Sequence, residues 1–184
     1  SPSVVQLLLD YYSGDTNHLL DARIADTCQT ALLHVAIANT EIVKLLLSRG
    51  AHVDICDTQG RTPLSPAAGA EANSTLEVLL QFGARASHPD SNKETPLHDA
   101  CRGNKVAAVS FLLEQDGSDI HALSLDGLTP LHVACVNQHL PTADFLIHRG
   151  AQLDAAEWKT TPLHFAFKVH FGAAPTFTPT WSQY

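Results

Sequence analysis

The sequence predicts an all-α solenoid, in which helix-turn-helix units stack side by side and are joined by hairpin-like finger loops. Three observations carry this. A short phrase recurs as Thr62-Pro63-Leu64-Ser65, Thr95-Pro96-Leu97-His98, Thr129-Pro130-Leu131-His132 and Thr161-Pro162-Leu163-His164, with prolines 33, 34 and 32 residues apart. Apolar triplets at helical spacing follow each of the first three phrases twice, small residues first and bulky ones second. Glycine then closes the bulky segments, at Gly50, Gly83, Gly117 and Gly150. A fixed period of this length is the mark of a repeat array.

Each element has a local reason. Threonine before proline starts a helix: the hydroxyl can accept from an orphan N–H of the first turn, and proline gives up a donor that would be unpaired there. The small triplets Leu64/Ala67/Ala68, Leu97/Ala100/Cys101, Leu131/Ala134/Cys135 and Leu163/Ala166/Phe167 fix one face of the first helix. Val43/Leu46/Leu47, Leu76/Leu79/Leu80, Val109/Leu112/Leu113 and Ala143/Leu146/Ile147 do the same for the second. Glycine enters the left-handed conformation past a helix end without steric cost.

In chain order, residues 1–29 read as a partial repeat, with Val5, Leu8 and Leu9 in the second-helix pattern. Leu8 to Leu33 spans 25 residues, against 17 to 19 between later equivalents, so that connection is longer, and its Leu19-Leu20 pair is a candidate to tuck against the stack. Repeats follow at about 30–61, 62–94, 95–128 and 129–160. The first of these carries a weaker phrase, Leu33-His34-Val35-Ala36, with register Leu33/Ala36/Ile37 and a turn between its helices two residues tighter. Residues 161–168 form a half repeat, so 1–168 make up the array. Residues 169–184, with Pro175 and Pro179, disfavour a helix. Phe171, Phe177, Trp181 and Tyr184 either fold back over the apolar end, or the tail is a splice-derived or artificial segment that stays mobile. A chain without methionine that opens near a second helix is expected to be a fragment or processed product of a longer protein.

The Thr-Pro-Leu-His phrase, the 33-residue period and the Gly-Ala after the second helix resemble the ankyrin repeat family, strongly over residues 30 to 166. The resemblance implies a stack that binds a partner protein along a concave face of inner helices and finger tips. It also implies that His98, His132, His164 and His34 are clamps bonding across neighbouring loops. Thr95 to Cys101 and Thr129 to Cys135 are similar to ankyrin-and-SOCS-box receptors, the substrate-recognition part of cullin-RING ubiquitin-ligase adaptors, although no SOCS box is visible. A further alternative is the regulatory arm of a larger enzyme or channel.

Composition narrows the function. The 184 residues hold 19 acidic against 11 basic side chains, a net charge of −8 with no basic run, which argues against nucleic acid. No stretch approaches 18 apolar residues, so no membrane insertion is expected. Cys101 and Cys135 read as small buried thiols of a reducing compartment, and Cys28 and Cys56 have no CxxC partner. A cytoplasmic or nuclear monomer is the expectation. The eleven histidines show no HxxxH or HxH pair, so neither a metal nor any other cofactor is expected. No GxSxG, P-loop or GxGxxG occurs, and the Asp99, Cys101 and Arg102 group reads as a solvated charge beside a buried thiol. Neither an enzyme nor a small-molecule substrate is expected.

What differs between repeats marks the candidate site. The finger tips carry Asp57 and Gln59, Asn92 and Lys93, Leu125 and Asp126, then Glu157, Trp158 and Lys159. The first helices add Asp99, Arg102 and Asn104, then Asn137 and His139. Trp158 and Leu125 are the expected anchors, because apolar groups on a polar tip gain most from being covered; the competing reading packs them on the adjacent finger. Lys93 and Lys159 replace the glycine of other tips, so those tips are expected to differ in shape or be strained.

Overall fold

A computed structural model of the chain describes residues 6–7, 36–70 and 72–153. These contain a 3₁₀ turn at Ala36–Ala38 and seven α-helices: α1 (Thr40–Ser48), α2 (Leu64–Gly69), α3 (Asn73–Gln81), α4 (Pro96–Arg102), α5 (Val106–Leu113), α6 (Pro130–Val136) and α7 (Leu140–His148). No strand occurs among the described residues. First helices pack in one row, α2 on α4 and α4 on α6. Second helices pack in another, α1 on α3, α3 on α5 and α5 on α7. The chain is the all-α repeat solenoid that its period predicts.

The rows are held by a continuous apolar layer. Leu64, Leu97 and Leu131 of the repeated phrase and Leu46, Leu79, Leu112 and Leu146 of the second helices are all buried. Removing each from water contributes about 2 kcal/mol. The second triplets are rotated slightly from the sequence reading. Leu80 and Leu113 are half-buried and Ile147 is 44% exposed, while Thr75 and Thr142 take places in the core. A threonine is tolerated there because its hydroxyl finds an acceptor in the preceding unit. Thr75 donates to the Ile37 carbonyl at 2.9 Å, and Thr142 to Asn104 Oδ1 at 2.8 Å.

The helix ends mostly follow local chemistry. Gly50, Gly83 and Gly150 stand one residue past the caps Arg49, Phe82 and Arg149, with φ of 94°, 86° and 91°. Gly117 departs from that pattern. Helix α5 ends at Leu113 with Glu114 as cap, and Gly117 lies three residues further on in a separate turn. Ala36 and Ile37, which the sequence register places on a first helix, lie in a 3₁₀ turn, and Asn39 then caps α1, its side chain accepting from the Ile42 N–H at 3.2 Å.

The histidine of the phrase is a two-way brace. His98 Nδ1 accepts from the Thr95 N–H at 3.1 Å and lies 3.0 Å from the Thr95 hydroxyl. Its Nε2 must therefore carry the proton, which it donates to the Leu128 carbonyl of the following finger at 3.0 Å. His132 repeats the local half, with Nδ1 at 3.2 Å from Thr129 N and 2.7 Å from its hydroxyl. The clamp is thus both a helix cap and a bolt between units.

One unit lacks the bolt. Ser65 stands where histidine stands elsewhere, and α2 begins at Leu64 with no side-chain cap. The hydroxyls of Thr62 and Ser65 are both buried without a hydrogen-bond partner. Two unsatisfied groups of this kind are destabilising by about 1 kcal/mol or more each. Ser65→His is therefore expected to raise stability by roughly 1 kcal/mol, through a ring that satisfies Thr62 and reaches the Glu94 carbonyl. Urea midpoints of the two chains at pH 7.5 check this; an unchanged or lower midpoint refutes it.

Candidate partner-binding face

The fingers are built by one device used three times. Asp57 Oδ1 accepts from the N–H groups of Gln59 at 2.8 Å and Arg61 at 2.9 Å. Asp90 Oδ1 does the same for Asn92 and Glu94, both at 2.8 Å, and the Ser124 hydroxyl accepts from Leu128 N at 3.2 Å. Side chains of this type fold a turn onto themselves. Tips are then tied sideways through the main chain: Ser91 N donates to the Gln59 carbonyl at 2.8 Å, and Leu125 N to the Asn92 carbonyl at 2.6 Å. The result is a fixed row of tips whose side chains remain available.

Lys93 keeps the shape of the glycine tips. It adopts φ 57°, near the 75° of Gly60 and 67° of Gly127, and its N–H makes the same turn bond, to the Asp90 carbonyl at 2.9 Å. Of the two outcomes expected there, the structure shows strain without a change of shape. The left-handed region costs a side-chain-bearing residue about 1 kcal/mol.

The inner helices contribute a charged centre. Arg102 is gripped by two carboxylates: Asp99 Oδ1 at 2.6 Å from Nη1, and Glu94, reaching from the preceding finger, on Nη2. Asp99 is not the solvated charge that its sequence context suggests, since its side chain is only 22% exposed. Burial, opposed by Arg102 and reinforced by the charges of Glu94 and Asp90, raises its pKa from 3.8 to about 6. Asp57 moves the other way. Burial works to raise its pKa, but the N–H bonds from Arg61 and Gln59 and the Arg61 guanidinium at 2.8 Å outweigh it and hold the pKa below the ordinary value.

The raised Asp99 pKa has a sign that can be checked. Between pH 3.8 and about 6 the folded chain holds a proton that the unfolded chain has released, so stability falls as pH rises through that window. Asp99→Asn removes the effect. The stability of the parent relative to Asp99→Asn is expected to decline by up to about 1.4 kcal/mol per pH unit across the window. Parallel urea titrations at several pH values measure it; a difference independent of pH contradicts it.

The residues singled out by sequence separate into two groups. Gln59, Asn92, Lys93, Leu125 and Asp126 share the row of tips with exposed side chains, Leu125 at 61%. Arg102 is 43% exposed beside Asp99. Others are occupied by the scaffold. Asp57 is buried in its turn, and Asn104, at φ 56°, accepts the Thr142 hydroxyl. Asn137 Nδ2 donates to the Val133 carbonyl at 2.8 Å, and His139 Nε2 to the Arg102 carbonyl at 2.9 Å. Glu157, Trp158, Lys159 and the tail lie outside the described residues. Glu94 was missed; its signal was an acidic residue directly before Thr-Pro, placed by the helix start under Arg102.

Among the described residues there is no cluster of three or more metal-ligating side chains, and no helix is long and apolar enough to cross a membrane. Cys101 is buried and Cys135 half-buried, and burial pushes both thiols above their ordinary range.

Comparison with known proteins gives one answer throughout. The family model described as ankyrin repeats (3 copies) matches residues 1–90, 33–124, 67–157 and 116–173. The chain is 31% identical over 169 residues to the ankyrin repeat and KH domain-containing protein mask-1 of Caenorhabditis elegans, covering 87% of this chain and 6% of that protein. It is 34% identical over 137 residues to the human B-cell lymphoma 3 protein, covering 70% and 30%. To the human transient receptor potential cation channel subfamily A member 1 it is 30% identical over 176 residues, covering 73% and 16%. The chain thus spans less than a third of each of these relatives.

Proposed function

The chain belongs to the ankyrin repeat family, whose members are generally protein-interaction modules and generally not catalysts, and from that premise we propose that it binds a segment of another protein across its inner helices and finger tips without catalysing a reaction. One observation carries the reading. The repeated residues are spent on the scaffold, whereas Gln59, Asn92, Lys93, Leu125 and Asp126, which differ between units, form a row of tips with side chains left to solvent. A rigid, pre-arranged row binds without a large ordering cost. Leu125 serves as the apolar anchor, and Arg102 with its two carboxylates as the polar centre. The chain acts as a monomer, in the cytoplasm or nucleus.

Leu125→Ala and Arg102→Ala are each expected to weaken partner binding about tenfold or more, with Leu125→Ala leaving the urea midpoint unchanged. The partner is found by photo-crosslinking from position 125 in the full-length parent protein, and affinities are then measured by calorimetry. A crosslinked partner whose affinity neither substitution alters would overturn the assignment of this face. Two narrower readings rest on the same face. Similarity to a channel supports a regulatory arm of a larger protein, and the Thr95–Cys101 phrase supports the receptor part of a ubiquitin-ligase adaptor. Co-purification of the full-length parent with elongins, or its absence, separates them.

A further inference from the structure

We propose that the Asp116-Gly117 linkage, in the turn that follows α5, is a non-enzymatic modification site at which the folded chain isomerises through a succinimide to isoaspartate. The chain has two Asp-Gly pairs, at 116–117 and 126–127, and the fold treats them differently. Gly127 is buried, and its N–H is held by the Ser124 carbonyl at 2.9 Å inside a finger. Asp116 and Gly117 are both exposed. Their turn is closed around them, by Ser118 N donating to the Gln115 carbonyl at 3.2 Å. Among the described residues, the Asp116 carbonyl accepts no backbone N–H and the Gly117 N–H donates to no carbonyl. The peptide unit that joins the pair is thus pinned at neither end.

The reaction requires the nitrogen of residue 117 to swing against the side-chain carbon of residue 116, so an unpinned peptide unit is the reactive one. Glycine supplies the second requirement, since it has no Cβ to crowd the ring and holds φ 81° at no steric cost. Gly127, at φ 67°, shares that freedom, so burial and the turn bond are what separate the two pairs. The Gly117 nitrogen bonds to Asp116 Cγ, and the carboxyl OH leaves with the amide proton as water. Water then opens the five-membered imide. Opening at Cγ restores aspartate. Opening at the main-chain carbonyl leaves the backbone running through Cβ and Cγ, with a free α-carboxylate. The water lost is regained, and nothing is oxidised or reduced. The product inserts a methylene between α5 and the finger that carries Leu125, and its α-carboxylate is the group that isoaspartyl carboxyl methyltransferases accept.

The test incubates the full chain at pH 6, folded and in guanidinium chloride, and follows isoaspartate at positions 116 and 126 separately by electron-transfer peptide mapping. In guanidinium chloride, where neither pair is held, the two are expected to isomerise within about threefold of each other. In the folded chain position 116 is expected to stay within about threefold of its unfolded rate. Position 126, which reacts only when its finger opens, is expected to fall at least about tenfold below its own. The unfolded chain calibrates both sites, so no substituted variant is needed. Suppression at 116 as strong as that at 126 overturns the proposal, and so does a folded chain in which 126 isomerises as fast as 116.

Discussion

Gly103→Ala is expected to disrupt the centre of the stack, lowering stability by at least about 3 kcal/mol. The glycine ends α4 with φ −82°, so backbone strain is not the reason. A methyl group there would lie 2.2 Å from the Gly69 carbonyl oxygen, 3.0 Å from its carbon and 3.2 Å from its Cα. All three are main-chain atoms at the end of α2, so relief requires the two helices to separate. The two helices pack on each other, and Ala67 and Ala68 of α2 and Ala100 and Cys101 of α4 are all buried. Separation would open the whole junction. Circular dichroism and urea unfolding read the result; a variant within about 1 kcal/mol of the parent would show that the helices are not this close.

His98→Ala is expected to lower stability by about 3 kcal/mol or more. It removes the bond from the ring to the Leu128 carbonyl, which keeps only the Ser124 N–H, takes away the Nδ1 partner of the Thr95 N–H and hydroxyl, and leaves a cavity where a fully buried ring stood. The loss has a pH signature. Burial, only partly offset by the Leu128 carbonyl and the nearby acids, lowers the His98 pKa from 6.5. Between that lowered value and 6.5 the unfolded chain binds the proton that the folded chain refuses. The clamp's contribution is therefore complete above pH 6.5 and is lost as pH falls through the lowered value. The gap between parent and His98→Ala is expected to narrow on acidification below 6.5, with the Asp99 contribution largely cancelling because both chains carry it. A gap that stays constant from pH 7.5 to 5 refutes a neutral clamp.

These two sites show what a one-dimensional reading reaches. Thr-Pro starts, glycine stops and leucine spacing depend on neighbours within a turn, so α4 and α6 begin at Pro96 and Pro130 as their phrases predict. The recurrence of histidine marked it as scaffold, although the bond to Leu128 itself needed coordinates. Individual side chains on the binding face were less legible. Asp57, Asn104, Asn137 and His139 look like variable surface residues, yet each has a bond in the frame. Asp57 and Asn137 bond within their own unit and Asn104 and His139 to a neighbouring one, and the letters do not record which partner each side chain finds.

The sequence alone determined the period, most helix ends, the buried leucines of the repeated phrase and the family, because each arises from contacts local in the chain or repeated along it. Tertiary structure decided the approach of Gly103 to Gly69, the capture of Arg102 by Glu94 and the burial of Asp99. Most of these join residues of adjacent units, and all depend on the offset between stacked units. That offset is set by the packing of whole helix faces and by no single residue.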